Sequence, residues 1–192
     1  MTLLEITSVV LSFVFLILLI QRNVWCWIFG IVSSVLSAIL FYQIQLYSEC
    51  FLYGIYALLG VYGWYVWTEP HKNENSNENG VVQPIKIPRL FSLVIIGIPL
   101  SLLVGYISQK LFEDASMPYV DSATTTFGLI ATFLEAHRYL SAWIFWIILN
   151  LTTAIMYFTK GIYLYAGLMV IYFIFSIVGY ITWNKLIPRY NN

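Results

Sequence analysis

Three residues in one apolar stretch have side chains that can bind a flat, polar ligand: Trp143, Trp146 and Asn150. Spacings of three and seven residues place them on one face of a helix. Asn150 stands near the centre of the apolar run Leu140–Phe158, where a buried amide needs a hydrogen-bond partner. Two interpretations fit equally well: a hydrogen bond to a neighbouring helix beside interfacial tryptophans, or a ligand site lined by aromatic rings.

The sequence repeats itself at an offset of 116 residues, and this repeat favours the ligand site. When Gln21–Trp67 is aligned without gaps to the residues 116 positions later, 13 of the 47 pairs are identical. The residues opposite the three candidates are one tryptophan and two small residues: Trp27, Gly30 and Ser34. We reason that a packing seam between equivalent halves needs no such difference, whereas a cavity for one asymmetric molecule does. Trp27 therefore joins the candidate site.

Further aromatic candidates stand on the third and seventh apolar runs. They are Tyr53, Tyr56 and Trp64 on the third run, and Tyr172 and Tyr180 on the seventh. Stacking of a planar heterocycle on such rings contributes about 1–3 kcal/mol per ring, and a cationic heterocycle gains cation–π attraction as well. Considered alone, each of these residues is better explained by packing than by ligand binding.

The composition indicates that a bundle of membrane-spanning helices holds these residues. Of the 192 residues, 60% are apolar and only 9% are charged, and the mean hydropathy is +0.81. A soluble domain carries about 25% charged residues. The net charge of zero argues against nucleic-acid binding, and the high hydrophobicity excludes intrinsic disorder. The first apolar run has no basic start or cleavage site, so we expect a spanning helix rather than a signal peptide.

Six apolar runs approach the length of about 20 residues that a spanning helix needs. They are Leu3–Ile20, Val24–Tyr42, Cys50–Trp67, Leu90–Ile107, Leu140–Phe158 and Ile162–Ile181. A seventh stretch, Ser122–Glu135, is weaker because it contains several threonines and ends in a carboxylate. The internal offset places this stretch opposite the first run, so seven helices are predicted.

The predicted fold is an all-α integral membrane protein with seven transmembrane helices in a 3+1+3 arrangement. We expect a first three-helix repeat in residues 1–67, a cytoplasmic loop and linker helix in 68–120, and a second three-helix repeat in 121–192. Because a single helix separates the repeats, they run parallel and are related by a pseudo-two-fold axis along the membrane normal, as in sugar transporters of the SWEET type.

Basic residues in the short loops predict the orientation, since cytoplasmic loops are enriched in lysine and arginine. One side carries Arg22, Lys72, Lys86, Arg89, Arg138, Lys185 and Arg189, and the other carries Lys110 and Lys160. This places the C-terminus in the cytoplasm and the N-terminus outside. The Asn-rich segment Thr68–Arg89 is predicted to be a solvated cytoplasmic loop, with His71 as a surface residue. Cys26 and Cys50 are expected at opposite membrane faces, where they do not pair.

Catalytic signatures are absent from the sequence, which has no H-E-x-x-H, G-x-S-x-G or phosphate-binding loop. All acidic residues lie in loops or at the ends of apolar runs, so ion-coupled pumping is disfavoured. Glu135 is interpreted as an interfacial residue near Arg138 rather than as a coupling carboxylate. We therefore predict a protein that is not an enzyme and that has no metal site or cofactor.

Several motifs together carry a family resemblance that covers nearly the whole chain outside the Asn-rich segment. They are Trp27-Ile-Phe-Gly30, Tyr62-Gly63-Trp64 with Trp67, the Trp143/Trp146/Asn150 motif, Lys160-Gly161-Ile162-Tyr163, and Gly179-Tyr180 with Trp183. In these motifs the chain resembles the PnuC family of vitamin transporters, best known for nicotinamide riboside uptake in bacteria. The resemblance implies a SWEET-like 3+1+3 fold, and a substrate site that Trp143, Trp146 and Asn150 help to line.

The resemblance also implies facilitated diffusion of an unphosphorylated vitamin across the bacterial inner membrane, followed by trapping by a cytosolic kinase. Nicotinamide riboside is the first expectation, and thiamine or another B-vitamin is the alternative, because Tyr53 and Gly60 offer only one hydroxyl to a ribose. A second alternative is a non-transporting membrane scaffold in which the aromatic motif only packs. The expected partners are the vitamin and the lipid bilayer, without nucleic acid, and the resemblance implies a homotrimer.

Overall fold

The computed structural model describes residues 3–43, 45, 47–69, 82–84, 87–111 and 117–187. These residues form seven helices: α1 Leu3–Ile20, α2 Cys26–Gln43, α3 Tyr47–Thr68, α4 Ile87–Leu111, α5 Pro118–Ala136, α6 Ser141–Thr159 and α7 Tyr163–Asn184. The prediction of seven helices is confirmed, including the weak fifth one. Most of the predicted cytoplasmic loop with His71 and Lys72 lies outside the described residues, as do Lys86 and Arg189.

Five of these helices, namely α2, α3, α4, α6 and α7, are long and apolar enough to cross a membrane. In α1 the apolar segment is shorter and covers Ile6–Ile20. In α5 the threonines and Asp121 lower the apolar content, although the helix forms over 19 residues. Large apolar side chains on α4 such as Phe91, Ile95 and Leu103 are exposed, as expected of a surface that meets lipid hydrocarbon.

The chain divides into two compact units that do not follow the sequence order strictly. Unit 1 contains Met1–Val82 together with Glu135–Arg138, and unit 2 contains Gln83–Leu134 and Tyr139–Asn192. The end of α5 and the turn that follows it therefore pack with α1, α2 and α3. This short segment brings a carboxylate, an imidazole and a guanidinium into unit 1.

Small and hydroxyl-bearing residues join the helices of unit 1. The Ser12 and Ser33 hydroxyls are 2.7 Å apart, and Ser33 also donates to the backbone carbonyl of Ser8 at 2.9 Å. These bonds tie α2 to α1. On the other side of α2, Gly60 of α3 leaves room for the Ile31 side chain, which lies 2.7 Å from where a Cβ would stand. Close packing through such residues is typical of helices in membranes.

In unit 2, two glycines of α4 receive aromatic rings from α5. A Cβ on Gly97 would lie 2.7 Å from the Phe127 ring, and one on Gly105 would lie 2.7 Å from the Tyr119 ring. At the start of α6 the Leu140 amide donates to the Gln83 carbonyl at 3.0 Å, next to a parallel backbone pairing of Gln83 with Tyr139. The two glycine contacts hold α4 against α5 within unit 2.

Residues with left-handed backbone between the helices recur at the 116-residue offset found in the sequence. Arg22 follows α1 with φ of 58°, and Arg138 follows α5 with φ of 55°. Likewise Gln45 precedes α3 with φ of 62°, and Gly161 precedes α7 with φ of 75°. Left-handed backbone is unfavourable for residues other than glycine. Its occurrence at matching positions shows that the two halves share local structure as well as sequence.

Candidate functional site

Trp143 is completely buried and packs against α7 of its own unit. Its ring contacts Gly179, whose missing side chain leaves the space, and it meets Trp183 edge to face with ring centroids 5.4 Å apart. The indole Nε1 is buried and has no hydrogen-bond partner among the described residues. This ring therefore packs α6 against α7.

Trp27 occupies the same environment in unit 1. A Cβ on Gly63 would lie 2.5 Å from its ring, and Trp67 meets it edge to face at 5.6 Å. Its Nε1 is likewise buried without a partner among the described residues. Because both tryptophans share one packing arrangement, helix packing alone explains their presence at these positions. A contact with substrate stays a prediction for both.

Asn150 makes the helix contact that was the alternative to ligand binding. Its Nδ2 donates to the Ser176 hydroxyl of α7 at 3.1 Å, and Ser176 donates to the Tyr172 carbonyl at 2.8 Å. The first bond uses one of the two N–H donors of the amide. Asn150 is only partly buried, so the structure combines a packing contact with further hydrogen-bonding capacity.

Trp146 is the candidate that packing explains least. Its residue is only half-buried, yet the indole Nε1 is buried and has no partner among the described residues. At the corresponding position in unit 1, a Cβ on Gly30 would lie 2.8 Å from the Phe15 ring of α1. The residue matching Phe15 is Ala131, which is small and fully buried. The large and the small residue are thus swapped between the two pairs of positions, so packing offers an explanation for part of this difference that our sequence reasoning left out.

The tyrosine candidates fall into separate groups. Tyr53 stacks on Phe41 with ring centroids 5.2 Å apart and meets Tyr56 edge to face at 6.0 Å. Both lie on α3 of unit 1 and are half-buried. Tyr172 lies on α7 of unit 2, where its carbonyl accepts the Ser176 bond. Each unit therefore brings some of the predicted residues together: Tyr53 and Tyr56 in the first, and Asn150 and Tyr172 in the second.

A polar cluster at the end of α5 is more buried than the sequence interpretation assumed. Glu135 is 2% exposed. The Trp67 indole donates to the Ala136 carbonyl at 2.9 Å, and the Arg138 guanidinium lies 4.4 Å from the centroid of the Trp67 ring. The His137 Nε2 and the Tyr62 hydroxyl are 3.0 Å apart. All of these residues belong to unit 1.

Charges in this cluster influence one another. Burial and the nearby Arg22 lower the pKa of the Arg138 guanidinium. Glu135 is within electrostatic range of the Cys26 thiol and of the Tyr56 phenol. The repeat contained a signal for this cluster, since Glu135 stands opposite Leu19, a completely buried leucine. No group of three His, Cys, Asp or Glu in the described part of the chain is arranged to hold a metal ion.

Comparison with known proteins identifies relatives that match most of the chain. The sequence profile of a family described as nicotinamide mononucleotide transporter matches residues 2–185. The nicotinamide riboside transporter PnuC of Escherichia coli K12 is 24% identical over 160 residues, which cover 70% of this chain and 65% of that protein. The protein of the same name from Neisseria mucosa is 27% identical over 175 residues, or 86% of this chain and 65% of that protein. This chain thus covers slightly less than two thirds of these relatives.

A solved structure has the same fold. The crystal structure of the vitamin B3 transporter PnuC superposes with a TM-score of 0.73 at 21% identity, covering 98% of this chain and 83% of the other. The match extends over all seven helices, and the family profile extends from residue 2 to residue 185. The chain therefore belongs to the nicotinamide mononucleotide transporter family, with a multi-pass helical membrane fold.

Proposed function

We propose that this protein mediates facilitated uptake of nicotinamide riboside across the bacterial inner membrane. Membership of a transporter family and the names of the relatives support this proposal. In the proposed route the riboside crosses without an ion gradient, and a cytosolic kinase then traps it by adding a phosphate. The protein itself acts as a passage and carries out no covalent chemistry.

The observation that carries this proposal is that Trp146, unlike the fully buried Trp143 and Trp27, is only half-buried, while its indole N–H has no partner among the described residues and shares a helix face with Asn150. If Trp146 only filled space, phenylalanine would do so without leaving a donor unsatisfied, which costs about 1–3 kcal/mol. A substrate that offers a carbonyl or hydroxyl oxygen removes that cost when it binds. The carboxamide and ribose of nicotinamide riboside both offer such oxygens.

Within each unit, the remaining candidates are proposed to contact the substrate. Trp143 and Trp27 provide buried rings, and Asn150 provides an amide beside Ser176. The neighbouring rings of Tyr53 and Tyr56 can stack on a planar heterocycle. Tyr172 is added because its backbone anchors the serine that binds Asn150.

We further propose the 3+1+3 arrangement, with parallel repeats in residues 1–67 and 121–192 and the linker helix in 68–120. The matching helix bounds of α3 and α7 and the matching left-handed residues support it. The proposed orientation has the N-terminus outside and the C-terminus in the cytoplasm. A homotrimer is the proposed assembly, on the basis of the family resemblance.

Uptake into proteoliposomes without an ion gradient tests the function. Labelled nicotinamide riboside should enter saturably and equilibrate, and encapsulated riboside kinase with ATP should raise the total label inside. Entry of thiamine alone would keep the mechanism and change the substrate to the alternative. Entry of neither, together with a normal amount of protein in the membrane, would favour the non-transporting scaffold.

Cysteine labelling tests the orientation. In a variant that lacks Cys26 and Cys50, Lys160→Cys should react with an impermeant maleimide added outside intact cells, whereas Lys185→Cys should react only after the membrane is opened. The reverse pattern would overturn the proposed orientation. The two sites flank the same helix, α7, so each serves as the control for the other.

A further inference from the structure

A buried carboxylate in a membrane bundle calls for an explanation, and Glu135 is such a group. It stands in the last turn of α5 with 2% of its surface exposed. The position 116 residues earlier is Leu19, which is also fully buried. Burying a charge is costly, and replacement of a buried ionic group by an apolar residue is often neutral or stabilising. The first half of the chain shows that an apolar residue fits this position of the fold.

The surroundings of Glu135 are aromatic as well as polar. Tyr56 on α3 and Cys26 at the start of α2 belong to the same unit as the carboxylate and are influenced by its charge. The adjoining Ala136 carbonyl holds the Trp67 indole. A carboxylate combined with tyrosine and tryptophan rings is the arrangement that proteins use to bind organic cations.

Cationic side chains belong to the same cluster. Arg138 lies over the Trp67 ring and interacts with both Arg22 and Cys26. The nicotinamide ring of the riboside carries a quaternary nitrogen, and so does the thiazolium ring of thiamine. The positive charge is therefore common to both candidate substrates.

We propose that Glu135 is a specificity-determining residue that recognises the positive charge of the transported vitamin. This inference rests on the proposed transport function. It places a charge-recognising position in unit 1, at the end of α5, in addition to the α6 motif. It also predicts that the transporter distinguishes a cationic heterocycle from its uncharged reduced form.

The experiment compares initial uptake rates of nicotinamide riboside and of its uncharged dihydro form in proteoliposomes. Potassium and valinomycin clamp the membrane potential at zero, so that the charge of the substrate does not itself change the driving force. Glu135→Gln should lower the ratio of cationic to neutral uptake by at least about tenfold, because one charge–charge interaction in a poorly solvated site is lost. Glu135→Asp keeps the charge and should keep the ratio within about threefold.

Glu69→Gln is the matched control, since it makes the same change at an exposed position of unit 1. If Glu135→Gln leaves the ratio of cationic to neutral uptake unchanged, whether or not both uptake rates fall, the inference is overturned while the proposed function stays intact. If the wild-type protein admits thiamine only, the same ratio is measured with thiamine and uncharged thiochrome. If the wild-type protein moves no cationic vitamin, the proposed function and the inference both fail.

Discussion

The ring of Trp143 lies where a side chain on Gly179 would stand. The same relationship joins Trp27 and Gly63 in the other unit, and each tryptophan is met edge to face by a second one, Trp183 or Trp67. The two contacts connect α6 with α7 and α2 with α3. Glycine is therefore required at these two helix positions by the close approach of a ring, and this requirement can be tested.

Gly179→Ala should destabilise the protein by about 1–3 kcal/mol, because a methyl group overpacks a rigid indole. Gly63→Ala should behave in the same way. Thermal unfolding in detergent measures both effects. Gly167→Ala on α7 and Gly54→Ala on α3 are controls on the same helices, because a Cβ there meets nothing within 4 Å. Equal stability of the test and control variants would contradict the packing interpretation.

Trp146→Phe should raise the KM for uptake by about tenfold while leaving stability unchanged or slightly higher, because it removes a buried donor that has no partner within the described structure. Uptake kinetics and thermal unfolding are measured on the same preparation. Trp25→Phe, at a largely exposed ring, is the control and should change neither quantity. Unchanged kinetics in Trp146→Phe would assign this ring to packing alone.

Ser176→Ala and Asn150→Ala should differ in their effects. The first removes the partner of one amide bond and should cost about 0.6–2 kcal/mol of stability, with KM within about twofold of the wild type. The second removes the whole amide and should reduce uptake by at least about tenfold as well. If both variants lose stability alike and neither changes uptake per folded molecule, Asn150 serves only to join α6 and α7.

Trp67→Phe should destabilise unit 1 by about 1–2 kcal/mol, because the Ala136 carbonyl loses its indole donor. The ring stays, so contact with Trp27 is largely retained and the lost hydrogen bond dominates. Trp64→Phe, on the same helix, should change the unfolding free energy by less than about 0.5 kcal/mol. Thermal unfolding of the two variants side by side checks the difference, and equal values would show that the bond to Ala136 contributes little.

Most of the helices were predictable because each is marked by an apolar run in the local sequence. Apolar runs gave the spans, and the repeat identified α5, whose threonines and Asp121 hide it from hydropathy alone. The repeat succeeded there because it uses the pattern of the whole chain, so a weakly apolar segment is supported by the strongly apolar one opposite it. The predicted start and end of α1 agree with the structure because the apolar run itself begins and ends there.

Side-chain environments were less predictable because they depend on contacts between distant positions. The exchange of bulk between Phe15 on α1 and Trp146 on α6 becomes visible only when the space at Gly30 is known. Glu135 was interpreted as interfacial because it ends an apolar run, and the sequence does not show that its carboxylate is buried in unit 1. Its replacement of a leucine in the repeat was the one signal that pointed to burial.

The bond between Trp67 and Ala136 has a consequence for biosynthesis. The two residues are 69 positions apart, and Glu135–Arg138 completes the unit that begins at the N-terminus. At a synthesis rate of about 5–20 residues per second, Ala136 follows Trp67 after about 3–14 seconds. During that interval the growing chain contains Trp67 but lacks the acceptor for its indole. Newly made protein therefore passes through a stage in which its first half still lacks a segment that only the second half supplies.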